Sequence, residues 1–101
     1  MVDIKAYTAS VYLEKEDIID KPQGEWTIIG EGIKEKDSYD NDKLMLPVKL
    51  DGTLKKFSCN KSNASLIMRK TEKTDSIDWI GYKLLFELNE NNWIIVKEAK
   101  L

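Results

Sequence analysis

Asn60-Lys61-Ser62-Asn63-Ala64 begins the one strong helical pattern of this 101-residue chain, and Trp79-Ile80-Gly81 follows its end. Asparagine is a favoured N-cap residue, because its side-chain oxygen accepts a hydrogen bond from the first turn of a helix. Ala64 and Ile67 then lie on one face at helical spacing. These features predict a short amphipathic helix over residues 62–69.

Strand patterns flank this helix on both sides. Alternating or continuous apolar residues, typical of strands, occupy three segments before the helix and two after it: residues 25–36, 43–50, 53–59, 82–88 and 93–96. Asp51-Gly52 is a strong hairpin signal, and Gly30 and Gly32 indicate a bend in the first strand. Three strands, a helix and two strands is the order of an OB barrel. The sequence therefore predicts a mainly β protein, a five-stranded OB-like barrel with one helix between strands 3 and 4.

The length predicts one folded domain. Residues 1–20 are interpreted as an N-terminal arm or extra strand, and residues 21–101 as a single OB-like domain. Cys59, in the third strand, is expected to be buried. The predicted core comprises Ile28 or Ile29, Ile33, Leu46, Val48, Leu54, Phe57, Ile67, Trp79, Leu84, Phe86, Ile94 and Val96.

The composition bears on the cellular compartment of the protein and on whether it contacts a membrane. Hydrophobic residues make up 42% and charged residues 34% of the chain. No apolar run approaches the roughly 20 residues that a membrane helix needs, and the N-terminus lacks a secretory signal. A single cysteine suits a reducing environment. We therefore expect a cytoplasmic protein that does not contact a membrane.

Catalytic chemistry has little support in the sequence. The chain contains no histidine, which removes the commonest general base and, with one cysteine, any Cys/His zinc site. It carries no phosphate-binding glycine motif. Carboxylates at Asp37, Asp40 and Asp42 suggest Ca²⁺ ligands, but they lack the EF-hand spacing and are interpreted as a solvated turn. The sequence predicts no enzyme, no cofactor and no metal site.

The two motifs resemble those of a family of small, mostly uncharacterised proteins of phages, archaeal viruses and mobile elements. That family carries Asn-Lys-Thr-Asn-Ala at the start of a helix, then an acidic stretch and Trp-Ile-Gly-Lys. Here Ser62 replaces the threonine, and Tyr82 stands where the last lysine is usual. The resemblance covers about residues 11–97. It implies an OB-like barrel in a replication or recombination context.

Each residue of these motifs also has a structural interpretation. Asn60 and Asn63 at a helix N-terminus suit an anion site, but we expect Asn60 to cap the helix and Asn63 to bond to nearby backbone. Trp79 is expected to pack against the bottom of the barrel rather than to present an exposed ring. Gly81 is expected to adopt a positive φ.

OB proteins bind ligands across strands 2 and 3 and between two loops. The residues of this chain that match are Tyr39, as a stacking ring, and Lys43, Lys49, Lys55 and Lys56, as the source of positive charge. Trp93, Tyr82 and Phe57 are further aromatic candidates, although Phe57 and Trp93 also suit the core. The acidic loop at residues 37–42 would repel phosphate, and the lysines also suit ordinary solvated strand positions.

Three functions are compatible with these patterns. The first is sequence-nonspecific binding of single-stranded DNA or RNA in replication or recombination. The net charge of −2 counts against this function, because it disfavours bulk attraction to phosphate. The second is a protein-interaction module that binds a replication or host-defence protein without nucleic acid. The third is a homodimer in which exposed first strands pair between copies.

Overall fold

The computed structural model describes residues 12–36 and 39–101. These residues form two helices, a 3₁₀ turn and six strands. In chain order they are α1 (Lys15–Asp20), β1 (Glu25–Ile28), β2 (Ile33–Lys36), β3 (Asp42–Leu50), β4 (Thr53–Cys59), α2 (Lys61–Thr71), the 3₁₀ turn (Ser76–Trp79), β5 (Lys83–Leu88) and β6 (Ile94–Lys100). Most of the predicted N-terminal arm, residues 1–11, lies outside the described residues.

The described strands form one antiparallel sheet, so the mainly β prediction is confirmed. One edge of β3 pairs with β4. On its other edge, the beginning of β3 pairs with β2, and the end of β3 pairs with β1. From β1 the sheet continues to β5 and then to β6. The predicted hairpin joins β3 to β4, and Asp51 and Gly52 both have positive φ, as a tight hairpin turn requires.

The predicted first strand is divided in two, which is why the sheet has six strands rather than five. β1 and β2 pair with the same edge of β3 and are separated by residues 29–32. A Cβ on Gly32 would lie only 2.6 Å from Cδ1 of Leu44. Glycine therefore lets the bent chain approach β3, and the predicted bend lies where the two glycines indicated it.

The sheet is open along the described strands: β4 and β6 are its outermost strands, and β2 pairs only with β3. Because neighbouring strands alternate in direction, β4 and β6 run parallel. Asn63, just after β4, reaches the edge of β6: its Nδ2 donates to the Ile94 carbonyl (3.3 Å), and its Oδ1 accepts from the Val96 N–H (3.0 Å). In a parallel ladder one residue likewise bonds to the two residues that flank its partner. The side-chain amide of Asn63 therefore forms the two hydrogen bonds that one residue of a parallel neighbouring strand would form with β6.

This arrangement corrects the role expected for Asn63. Its partners are not nearby backbone groups but lie 31 and 33 residues later in the chain. Asn60 performs the capping role that was predicted, since its Oδ1 accepts from the Asn63 N–H at 2.9 Å. Asn60 thus caps the beginning of the helix, and Asn63 satisfies two backbone groups at the edge of β6.

The edge of β4 is covered by the chain that precedes α1. The Leu13 N–H donates to the Lys56 carbonyl (2.8 Å), and Tyr12 forms a single parallel bridge with Lys56. Leu13 and, on α1, Ile18 are buried in the core. The described part of the predicted arm therefore packs on the domain.

Most of the predicted core is confirmed. Nine of the predicted residues are buried: Ile28, Leu46, Val48, Phe57, Ile67, Trp79, Leu84, Phe86 and Val96. Cys59 is buried as expected, Ile94 is half-buried, and Gly81 has a φ of 95°. The sequence prediction missed four buried apolar residues, Leu13, Ile18, Trp26 and Ala99.

The predictions for Ile33 and Leu54 are wrong, since these side chains are 58% and 59% exposed. Leu54 and Phe57 are three positions apart in β4, and side chains on a strand alternate between its two faces. Both therefore cannot face the core. Ile33 is exposed because it pairs with Met45, whose side chain lies on the outer face of the sheet.

We expect Asn63→Ala to destabilise the fold more than Asn60→Ala. The first change leaves the Ile94 carbonyl and the Val96 N–H without their partner, at about 1–3 kcal/mol for each unsatisfied buried group. The second removes a helix cap, worth about 1 kcal/mol. Urea unfolding measures both. Equal effects would show that the amide does not hold the β6 edge.

We expect Phe86→Ala to cost about 3–5 kcal/mol, as usual for a buried phenylalanine. Its ring lies 4.6 Å from that of Phe57, centroid to centroid. The exposed Leu54 is the matched control, and Leu54→Ala should change the free energy of unfolding by less than about 0.5 kcal/mol. Thermal or urea unfolding of both variants tests the register, and a large loss for Leu54→Ala would contradict it.

Candidate functional site

The structure separates the four predicted lysines. Lys43, Lys49 and Lys56 lie on the outer face of the sheet, on strands β3 and β4. Lys55 lies opposite the buried Val48, so it belongs to the other face. Its side chain is only 14% exposed, and its Nζ lies 3.8 Å from a carboxylate oxygen of Asp17. The four lysines therefore do not form one patch.

The loop between β2 and β3 carries Tyr39, whose side chain is 84% exposed. Acidic residues of this loop are partly neutralised, because Lys36 Nζ lies 3.5 Å from Asp40 and 3.6 Å from Asp42. Asp37, the third expected Ca²⁺ ligand, lies outside the described residues. Within the described ranges no group of three or more acidic, histidine or cysteine side chains is placed to hold a metal ion.

Trp93 is the exposed tryptophan of this chain. It is 66% exposed, whereas Trp26 and Trp79 are buried, so the interpretation of Trp93 as a core residue is wrong. Its position is set by Asn89, whose Oδ1 accepts hydrogen bonds from the N–H groups of Asn91 and Trp93, both at 2.9 Å. The turn thus holds Trp93 immediately before β6 at the surface.

Trp93 borders a cleft of about 560 Å³ between the two sheet edges. We call it the seam cleft; its lining includes Lys43, Phe57, Ser58, Asn63 and Trp93. Glu14, Lys15 and Glu16 line its other side. The cleft therefore combines an exposed aromatic ring with two lysines, Lys15 and Lys43, whose charge is balanced by Glu14 and Glu16.

A second cleft, of about 570 Å³, adjoins the seam cleft and shares Lys43 and Asn60 with it. We call it the lysine cleft, because Lys34, Lys43 and Lys61 line it and Asp42 is the single acid among its described lining residues. It lies at the first turn of α2, where the helix dipole adds to the positive charge. The positive charge is therefore concentrated in the lysine cleft, and the adjoining seam cleft supplies the aromatic ring.

Part of this surface was accessible to sequence reasoning. Lys43 was predicted and lines both clefts, whereas Tyr39, in the β2–β3 turn, lines neither of them. The exposure of Trp93 was missed, although the run of four polar residues before it, Asn89-Glu90-Asn91-Asn92, was a turn signal. Lys34 was missed, because only folding brings it beside Lys43 and Lys61.

Comparisons of the chain with family models, with curated proteins and with solved structures found no match. The resemblance to the phage and viral family therefore stays a prediction. Of the helices in the described ranges, none has the length and apolar character needed to span a bilayer. The candidate site is therefore defined by its geometry alone.

Cys59 lines the lysine cleft, and the pKa of its thiol differs from the ordinary value. Burial raises the pKa of Cys59 from 9.0 to about 12, because the interior disfavours the thiolate. Between those two values the unfolded chain has lost the thiol proton and the folded chain retains it. The free energy of unfolding should therefore fall as pH rises above about 9, by about 1.4 kcal/mol per pH unit from this group.

Cys59→Ala isolates this contribution. Subtracting the variant's pH dependence from that of the natural chain removes the effects of lysines and tyrosines, and the difference should decline only above pH 9. A thiol reagent at pH 8 should also modify the folded protein far more slowly than the urea-unfolded chain. Equal modification rates would show that Cys59 is accessible from the cleft.

Proposed function

We propose that this protein binds single-stranded DNA or RNA, without sequence specificity, at the seam cleft and the lysine cleft. The observation that carries the proposal is Trp93, an exposed ring on a cleft that Lys43 also lines. Proteins that bind single strands combine aromatic rings, on which bases stack, with lysines that follow the phosphates. Trp93 supplies the ring, and Lys34, Lys43 and Lys61 supply the charge.

The fold supports this placement if it is interpreted as an OB-like barrel, which is part of the proposal. Counting β1 and β2 as one bent strand leaves five strands in the expected order, with Asn63 bridging the edges that a closed barrel would join. The β2–β3 and β5–β6 turns then correspond to the two loops that flank ligands in OB folds. Tyr39 and Trp93 lie on those turns.

The resemblance described above and the single buried cysteine support the wider setting of the proposal. We propose a cytoplasmic, non-enzymatic role in the replication or recombination of a viral or mobile element. Because the whole chain has a net charge of −2, binding should be modest and should weaken sharply as salt rises. A protein-interaction role is the second candidate, and the outer face of the sheet favours it.

We expect Trp93→Ala to weaken binding of labelled oligonucleotides, since stacking contributes about 1–3 kcal/mol per base. Trp93→Phe should recover part of that loss. Lys43→Ala should weaken binding to all sequences and reduce the salt slope by about 0.7, the value for one phosphate contact on a single strand. Fluorescence anisotropy with oligo-dT and oligo-U at several salt concentrations measures each effect.

Lys97→Ala is the matched control, because Lys97 is an exposed lysine of β6 outside both clefts. It should leave affinity and salt slope unchanged. If micromolar protein gave no anisotropy change at low salt with either oligonucleotide, the proposed function would be wrong. If binding survived Trp93→Ala and Lys43→Ala intact, the site would be wrong but the activity would stand.

A further inference from the structure

The outer face of the sheet presents apolar side chains to solvent. They form what we call the outer-sheet patch: Ile29, Ile33, Met45, Pro47 and Leu54. Ile29, Ile33 and Leu54 are exposed, and Met45 and Pro47 are half-buried. The outer face of an antiparallel sheet is ordinarily polar. An apolar outer face therefore indicates a surface that is covered at least part of the time.

The register of the strands makes this patch continuous. Ile33 lies opposite Met45, which precedes Pro47 by two positions on the same face of β3. The Ile29 N–H donates to the Pro47 carbonyl at 3.0 Å, so these residues are neighbours. Leu54, on β4, lies diagonally beside Pro47 through the pairs Lys49–Leu54 and Pro47–Lys56. The patch thus crosses from β2 to β4.

Positive charge surrounds the patch. Lys43, Lys49 and Lys56 share the outer face with it. Glu35 lies on the same face, with its carboxylate 3.7 Å from Lys56 Nζ. The row continues across the sheet, because Thr27 lies opposite both Lys49 and Lys83. Glu25 shares this face of β1 with Thr27, and its carboxylate lies 3.4 Å from Lys100 Nζ. On β3 and β4, Lys43, Lys49 and Lys56 outnumber Glu35, so this part of the face is positive. It complements an acidic partner.

Two other occupants fit the face less well. A second copy stacked about a two-fold axis would place the same patch on itself and bring its lysines together. Nucleic acid would find lysines here but aliphatic side chains in place of the aromatic rings on which bases stack. Lys49 is also about 20 Å along β3 from Lys43 and the seam cleft, at 3.3 Å per residue.

We propose that the outer-sheet patch docks an acidic protein segment that carries apolar side chains. The apolar residues of the segment cover Leu54, Pro47 and Met45, and its carboxylates pair with Lys49 and Lys56. Lys43 borders both this patch and the two clefts. The Lys49–Leu54 end of the patch lies farther along β3, so a partner protein docked at that end leaves the clefts free. The inference does not depend on the proposed function.

The test uses the full chain labelled with ¹⁵N and three short synthetic peptides. One alternates Glu with Leu, one alternates Lys with Leu, and one alternates Glu with Ser. Only the Glu–Leu peptide should move the amide resonances of Ile33, Met45 and Leu54 in a saturable way. The Lys–Leu peptide tests the charge requirement, and the Glu–Ser peptide tests the apolar requirement.

Variants then locate the contact. Lys49→Glu with Leu54→Ser changes two cross-strand neighbours on the outer face and should weaken peptide binding about tenfold or more. Lys73→Glu with Lys97→Glu reverses two exposed charges away from the patch and should change affinity by less than about twofold. Well-dispersed spectra confirm that each variant is folded.

Five outcomes would overturn the proposal. The Glu–Leu peptide produces no shifts at millimolar concentration, or it shifts residues of the clefts instead. All three peptides shift the same amide resonances to the same extent, which shows nonspecific binding. The patch resonances move with protein concentration alone, which assigns the face to a second copy. An oligonucleotide moves the same resonances more strongly, which assigns the face to nucleic acid.

Discussion

The side-chain amide of Asn63 joins the two ends of this sheet, and the rest of the structure depends on that contact. An edge strand exposes N–H and C=O groups that otherwise attract other strands. Asn63 satisfies one of each on β6 from a position at the start of α2. The same contact fixes the helix against β6, and therefore fixes the turn that carries Trp93 immediately before Ile94.

Bridging the edges by one side chain has a consequence for function. A continuous β4–β6 ladder would fill the space between the two strands with backbone. A single amide, with Leu13 covering the edge of β4, leaves the seam cleft open beside Trp93 and Lys43. The element that stabilises the fold thus also creates the opening in which a base has room to stack. The Lys49–Leu54 end of the outer-sheet patch lies farther along β3 than Lys43, so a ligand at that end need not compete with one in the clefts.

Local rules predicted much of this fold. The N-cap at Asn60, the Asp51-Gly52 hairpin and the bend near Gly32 were each visible in a few consecutive residues, because caps and turns act over one turn of chain. The errors at Ile33 and Leu54 came from counting apolar residues without applying strict alternation. Strand register assigned both residues to the outer face, where they now form part of a candidate docking surface.

Two asparagines three positions apart show the limit of sequence reasoning most clearly. The helix cap of Asn60 was predictable, because donor and acceptor lie within one turn. The partners of Asn63 on β6 were not, and neither was the grouping of Lys34, Lys43 and Lys61 in one cleft. Local sequence determined where the helix, hairpin and strands form, because capping, turn geometry and side-chain alternation depend on near neighbours. Tertiary structure alone determined which distant residues meet, because strand order and register bring together groups whose separation along the chain carries no local signal.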